Sequence, residues 1–379
     1  MDAKAMLKER TELFDNAINF RKNKRVPLVS NFFTWKILDA GYKLSEALYD
    51  YGIMEKVNDE FHRRYQFDAY FDLGTRNPMR VMDALGAGFH KIDPTDEAIV
   101  VDDHHIMERD DYRELASNPM GFYWAKAFKR YCKPGITMGE MENAVKEFIA
   151  FGQYAGKITN KYINEYGAML LATNYIFIPF EQLFNALRGI RELALDIRKC
   201  KAQMKETMDT MFVNECEPVL KRAVDADYAG FVAPLTIAFL GHSLLSADQF
   251  GELYWPYFKK VLDVAIRHKK PIFCFCESTM LRFAEFFQDV PKGVLLIHLE
   301  QDDIFEIRKK LPNIALAGGM PTDLLGHGTK EQCVDYAKKL IDTLGDGFVL
   351  SQDKMMSYRN DAKRENLLAV NEFARTYQY

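Results

Sequence analysis

From residue 26 onward the chain alternates short apolar runs with helix-length amphipathic segments, and it does so eight times without a linker or a composition break. Apolar runs of five to eight residues separated by helices read as buried parallel strands, because each crossover helix covers a sheet face and leaves the strand apolar on both sides. Such alternation folds either into an open doubly wound sheet or into a closed barrel. Eight units favour closure, so the expected fold is α/β, a (β/α)8 barrel. The whole of 1–379 reads as one domain, with an N-terminal helical extension over 3–22 and an insertion around 84–165. Within that insertion, FHKID and EAIVVDD read as a hairpin outside the repeat. The adjacent His104 and His105 sit beside it, and as neighbours on a strand they would face opposite sides, which makes them surface histidines rather than co-ligands.

The most informative stretch is 269–301, KKPIFCFCESTM, LRFAEFFQD and KGVLLIHLEQ. Strands five and six are expected over 271–276 and 294–298, with a helix between them. Each ends on groups that bind metals or move protons: Cys276 and Glu277 on the first, His298 and Glu300 on the second. Groups at the carboxyl ends of neighbouring parallel strands share one mouth, the place where barrel enzymes keep their sites. Strand four is expected to end near His242 and strand eight near Asp353, which adds both to the candidates. NFFTW after strand one and NYIFIPF after strand three bring Asn31, Phe33, Trp35, Asn174 and Tyr175 as an aromatic and amide wall for a flat ligand.

Composition excludes several classes. A net charge of −4 leaves no basic face for nucleic acid. The first helix is charged and amphipathic rather than a signal peptide, and no window reaches the roughly eighteen apolar residues of a membrane span. Six scattered cysteines form no disulfide framework, which fits a reducing cytoplasm.

Taken together, LFDNAINFRKNKRVPLV, FGELYWPYFKKVLDVAIRHKKPIF, VLLIHLEQDDIFEIRKKLPNIALAGGMPTDLL and GDGFVLSQD resemble the uroporphyrinogen decarboxylase-like superfamily over nearly the whole chain. The resemblance implies a (β/α)8 barrel and one of two chemistries, porphyrinogen decarboxylation or zinc-assisted methyl transfer involving a corrinoid carried on a partner protein. Two departures narrow it. The decarboxylases carry arginines just after the first strand, where this chain has VSNFFTWKIL. The thiol-methylating members carry His-x-Cys on strand five and a late Cys; aligned without gaps, those positions hold Phe275, Glu277 and Lys354 here. What remains resembles the methyltransferases that open anaerobic O-demethylation. They take a methyl group from an aromatic methyl ether to the cobalt of a separate corrinoid protein, with zinc as Lewis acid.

On that resemblance Glu277 and His298 are the expected zinc ligands. His242, Cys276 and Asp353 are lesser candidates for ligand or proton donor. The alternatives are a second-step methyltransferase acting on a thiol or other acceptor, and a silent barrel that only docks a corrinoid protein. No Asp-x-His-x-x-Gly cobalamin signature is present; the nearest string, Asp102–Asp103–His104, lacks the glycine. The expected partners are therefore a corrinoid protein and a small aromatic methyl ether, with a homo-oligomer left open.

Overall fold

A computed structural model describes residues 2–103 and 106–379. Eight strands form one sheet in sequence order: β1 Val29–Ser30, β2 Ala69–Tyr70, β3 Met169–Ile176, β4 Phe231–Phe239, β5 Ile272–Cys276, β6 Leu295–Leu299, β7 Ala315–Met320 and β8 Phe348–Gln352. Every neighbouring pair is parallel. The seam between β8 and β1 closes through a parallel bridge from Leu28 to Leu350, with the Leu350 N–H donating to the Pro27 carbonyl at 2.9 Å. The result is the expected (β/α)8 barrel, closed at that seam by short contacts rather than by a long ladder.

Period-2 alternation sorts the strand side chains into two cores. Val29, Ala69, Met169, Ala233, Phe273, Phe275, Leu296, Ala317 and Val349 fill the barrel, and Phe14, Ala17 and Ile18 of the first helix, Ala3–Ile18, plug its amino-terminal end. The alternate residues, Cys274, Cys276, Ile297 and Leu299 among them, pack outward against the helices. The expected hairpin is present, His90–Ile92 against Ile99–Val101; His104 and His105 lie outside the described residues.

The structure corrects several boundaries. The helix expected between β5 and β6 is a 3-10 segment, Leu281–Phe287, whose first N–H groups are held by Asp302. Three phenylalanines in seven residues, poor helix formers that bury Phe283 and Phe287, leave little to favour the α form. Residues 190–211, whose pattern predicts one long helix, break at Cys200 into Gly189–Lys199 and Lys201–Met211. The stretch after Ser246, whose Ser-x-Asp start and amphipathic pattern predict a single helix, breaks at Tyr254, because Pro256 cannot sit inside a helix and instead opens the next one, Trp255–His268. Ser246 does cap the first of these, accepting from the Gln249 N–H at 3.2 Å. Strand three, which the apolar run 168–173 predicts, runs on to Ile176 by pairing with β4 as far as Ile237. All six cysteines are free, and no helix among the described residues is long and apolar enough to cross a membrane.

Candidate active site at the carboxyl mouth of the barrel

Register decides which side chains meet. Phe275 on β5 pairs with His298 on β6, and Cys276 with Leu299, so one step further Glu277 stands beside Glu300. His298 is thus the neighbour of Phe275, whose ring stacks on it with centroids 5.2 Å apart, and it lies one layer beneath Glu277. The imidazole is buried; its Nε2–H donates to the Gln352 carbonyl at 2.9 Å, and the Asn31 amide nitrogen lies 3.3 Å away. Burial pulls its pKa down to about 4, against the Gln352 hydrogen bond, so the ring is neutral near pH 7. In this layer His298 Nδ1, Asn31 Oδ1 and Ser351 Oγ are buried without a hydrogen-bond partner among the described residues. Buried polar atoms of this kind ask for water or a polar ligand.

The layer above is acidic and ringed by aromatic groups. Burial raises the pKa of Glu277, Glu300 adds to the rise, and Arg76 opposes it. Glu300 accepts the Ser278 N–H at 3.0 Å and is raised by burial too. Glu277 has no protein hydrogen-bond partner for its carboxyl among the described residues. Nothing in the sequence pattern singles out Arg76. Its guanidinium lies over the Phe33 ring, 5.5 Å from the centroid, and touches the Met355 sulfur. The loop that carries it is fixed by Asp72, which accepts the N–H groups of Gly74, Thr75 and Arg76 at 3.0–3.1 Å and holds the buried Lys36 ammonium at 3.0 Å. An Asp two residues before Gly in FDLGTR is the visible sign of such a turn. Tyr175, 47% exposed, stands edge-on to Phe177 and feels the charges of both Arg76 and Glu277. Beside Glu300 opens a cavity of about 420 Å³, lined also by Asp302, Tyr336, Lys339 and Asp353.

The remaining candidates lie elsewhere. Cys276 has the opposite parity to Glu277 and points into the helix layer, where burial pushes its thiol far up. His242 sits with it, 3.9 Å from its sulfur, stacked on Phe239 and donating Nε2–H to the Thr279 carbonyl at 3.1 Å; burial lowers its pKa to about 3. Both belong to the outer core rather than the mouth. Trp35 packs edge-on against Phe32 and Tyr65, also outside the barrel. Asn174 spends its amide on the Pro234 carbonyl at 3.1 Å. Asp353 is at the mouth, where its carboxylate accepts the Thr322 N–H at 3.0 Å.

These donors do not fit a protein-held zinc ion. A catalytic zinc takes three protein ligands and keeps one position open. Among the described residues no three His, Cys, Asp or Glu side chains stand together to hold an ion. Glu277 and His298 lie in different layers of the barrel mouth.

A second acid merits its own test. Glu181 is wholly buried; it accepts from the N–H groups of Leu240 and Gly241 at 2.8 and 3.0 Å and from the Tyr254 hydroxyl at 2.5 Å. Burial outweighs these bonds and raises its pKa to about 7. The folded chain therefore keeps this proton over a range where the unfolded chain has lost it. Its contribution is full below the unfolded value near 4.5 and declines as pH rises through about 7. Glu181→Gln should remove that decline. Denaturation from pH 5 to pH 8 should show the variant gaining on the wild type by at most about 3 kcal/mol; parallel curves would contradict the shift.

The architecture and mouth thus define a (β/α)8 barrel with an acidic, aromatic-rimmed carboxyl face. No protein-family model and no curated protein matches the chain. Among solved structures, a methyltransferase from Methanosarcina mazei shares the fold, with a TM-score of 0.63 at 13% identity over 99% of this chain and 98% of that one. A putative vitamin-B12-independent methionine synthase from Listeria monocytogenes overlaps less closely, with a TM-score of 0.44 at 12% identity over 93% of this chain and 97% of that one. The likeness to the first agrees with the barrel implied by the sequence resemblance.

Proposed function

We propose that the chain is a methyltransferase that takes the methyl group of a small aromatic methyl ether, with Glu277 as proton donor to the departing oxygen. The supporting observation is Glu277 itself: a carboxyl with a raised pKa and, among the described residues, no hydrogen-bond partner, at the barrel mouth between Glu300, Tyr175 and the Arg76–Phe33 pair. An aryl ether resists cleavage until its oxygen is stabilised as it leaves, which a positioned acid achieves by protonation. In the step, the methyl carbon–oxygen bond breaks with its electron pair on oxygen, and the oxygen takes the Glu277 proton. The carbon takes an electron pair from the acceptor, which in this reading is reduced cobalt on a separate corrinoid protein. Phe33 and Tyr175 supply aromatic surface for the ring. The sequence resemblance and the methyltransferase neighbour support methyl transfer, and no step is routed through zinc because the donors do not fit it.

The test is a panel with reduced cobalamin as the acceptor, followed by its spectrum. A methoxyphenol should be demethylated, while methanol, methylamine and uroporphyrinogen should not react. Turnover of methanol or the amine without the arene would remove the ether and keep methyl transfer; carbon dioxide from the porphyrinogen would overturn both. A second expectation concerns Arg76, which lowers the pKa of both Glu277 and Glu300. In Arg76→Gln both should rise, so the protonated donor persists to higher pH. The basic limb of the kcat/KM profile should move upward, and an unmoved limb would exclude Glu277 as the titrating acid.

A further inference from the structure

The long helix Met138–Asn164 has two apolar faces, and the chain uses one. Ala144, Tyr154, Ile158 and Tyr162 are buried against the body, where the Tyr154 and Tyr162 hydroxyls donate to the carbonyls of Leu73 and Asn58, both at 2.6 Å. The opposite face carries Met138, Val145, Phe148 and Ile149, exposed by 71, 59, 64 and 54%. Met141, Gly152, Gly156 and Thr159 continue it at helical spacing, so about 33 Å of helix presents a stripe without a charge. The two glycines are the telling residues. Mid-helix glycine is destabilising relative to alanine, yet a Cβ at Gly152 or Gly156 would meet nothing within 4 Å. Nothing in the chain itself requires them to be small.

We infer that this face is a homodimer interface, in which the helix packs antiparallel on the same helix of a second copy about a twofold axis between Phe148 and Ile149. The pattern is self-complementary about that midpoint. Met141 comes opposite Gly156, Val145 opposite Gly152, Phe148 opposite Ile149, and Met138 opposite Thr159. Met141 and Val145 thus each face a glycine, Phe148 packs beside Ile149 at the axis, and the glycines admit close approach of the backbones. A parallel pair would set glycine on glycine and Phe148 on Phe148, leaving gaps beside a wedge. An antiparallel pair also brings like edges together, which sets Glu142 against Lys157 of the second copy, where Lys157 already holds Glu55 at 2.6 Å. A twofold, isologous contact of this kind closes on itself.

The test is the mass of the full-length protein by analytical ultracentrifugation across the micromolar range. The wild type should be a dimer. Phe148→Glu should be a monomer. Gly152→Leu should weaken association by about tenfold or more with no loss of thermal midpoint, because leucine favours the helix and meets open space in the monomer. Val145→Cys combined with Gly152→Cys supplies the register: within one chain the two are about 10.5 Å apart, beyond the reach of a disulfide, so oxidation should give a covalent dimer. A monomeric wild type, a dimer unaffected by Phe148→Glu, or association through this face with a different protein alone would overturn the proposal; a dimer that the paired cysteines fail to cross-link would overturn its antiparallel register.

Discussion

Replacing Glu277 by glutamine is expected to lower kcat for a methoxyphenol by roughly 10²- to 10⁴-fold, the span a positioned general acid contributes. Glutamine matches glutamate in size and keeps a polar head, so the ring should still bind and KM should change little. A loss confined to kcat marks an interaction made in the transition state. The deficit should also depend on the leaving group. An ether whose phenol is a strong acid needs less help from a proton, so an electron-poor methoxyarene should lose less than a methoxyphenol. The basic limb of the pH profile should vanish with the carboxyl. Equal losses across leaving groups would argue that Glu277 positions the ring and does not protonate it.

The largest effect on stability is expected at Asp72. Lys36 is completely buried, and its ammonium donates to the Asp72 carboxylate at 3.0 Å and to the Asp72 carbonyl at 2.6 Å. In Asp72→Ala that charge would be left without its counterion, which costs roughly 3–5 kcal/mol for a buried pair broken on one side. The three N–H groups that organise the Arg76 loop lose their acceptor in the same change. Lys36→Met should cost less, since the carboxylate keeps those three donors. In the double variant Lys36→Met with Asp72→Asn, part of the loss should return, because no unpaired charge stays buried. The readout is the urea midpoint at unchanged slope. An Asp72→Ala midpoint equal to that of Lys36→Met would show that the pair is not the principal tie.

What could be read from the sequence follows the physics of parallel strands. PIFCFC and VLLIHL are apolar on both faces, which only a covered parallel strand needs, so β5 and β6 appear where expected. Strand alternation also separates Cys276 from Glu277 without any structure, since consecutive residues face opposite sides; the cysteine belonged to the helix layer from the start. The meeting of Glu277 with Glu300, and of His298 with Phe275, depends on the stagger between strands, which no property of a single strand sets. Arg76 escaped because its position depends on Lys36 and Asp72, 36 residues apart, joining under the barrel mouth. Nearness to the end of β4 puts His242 at the mouth on sequence alone, but a 3-10 turn, Gly241–Leu244, carries it back into the outer core.

This barrel is proposed to move a methyl group from an aryl ether with its own carboxyl as the acid and with no zinc held by the protein. The most direct measurement is transfer from a ¹³C-methyl-labelled methoxyphenol to reduced cobalamin by protein dialysed against a chelator, followed by NMR. The methoxy signal should be replaced by a cobalt-bound methyl and a free catechol, at a rate that chelation does not alter. A methoxy signal that persists, or transfer that stops on chelation and resumes with added zinc, would contradict it.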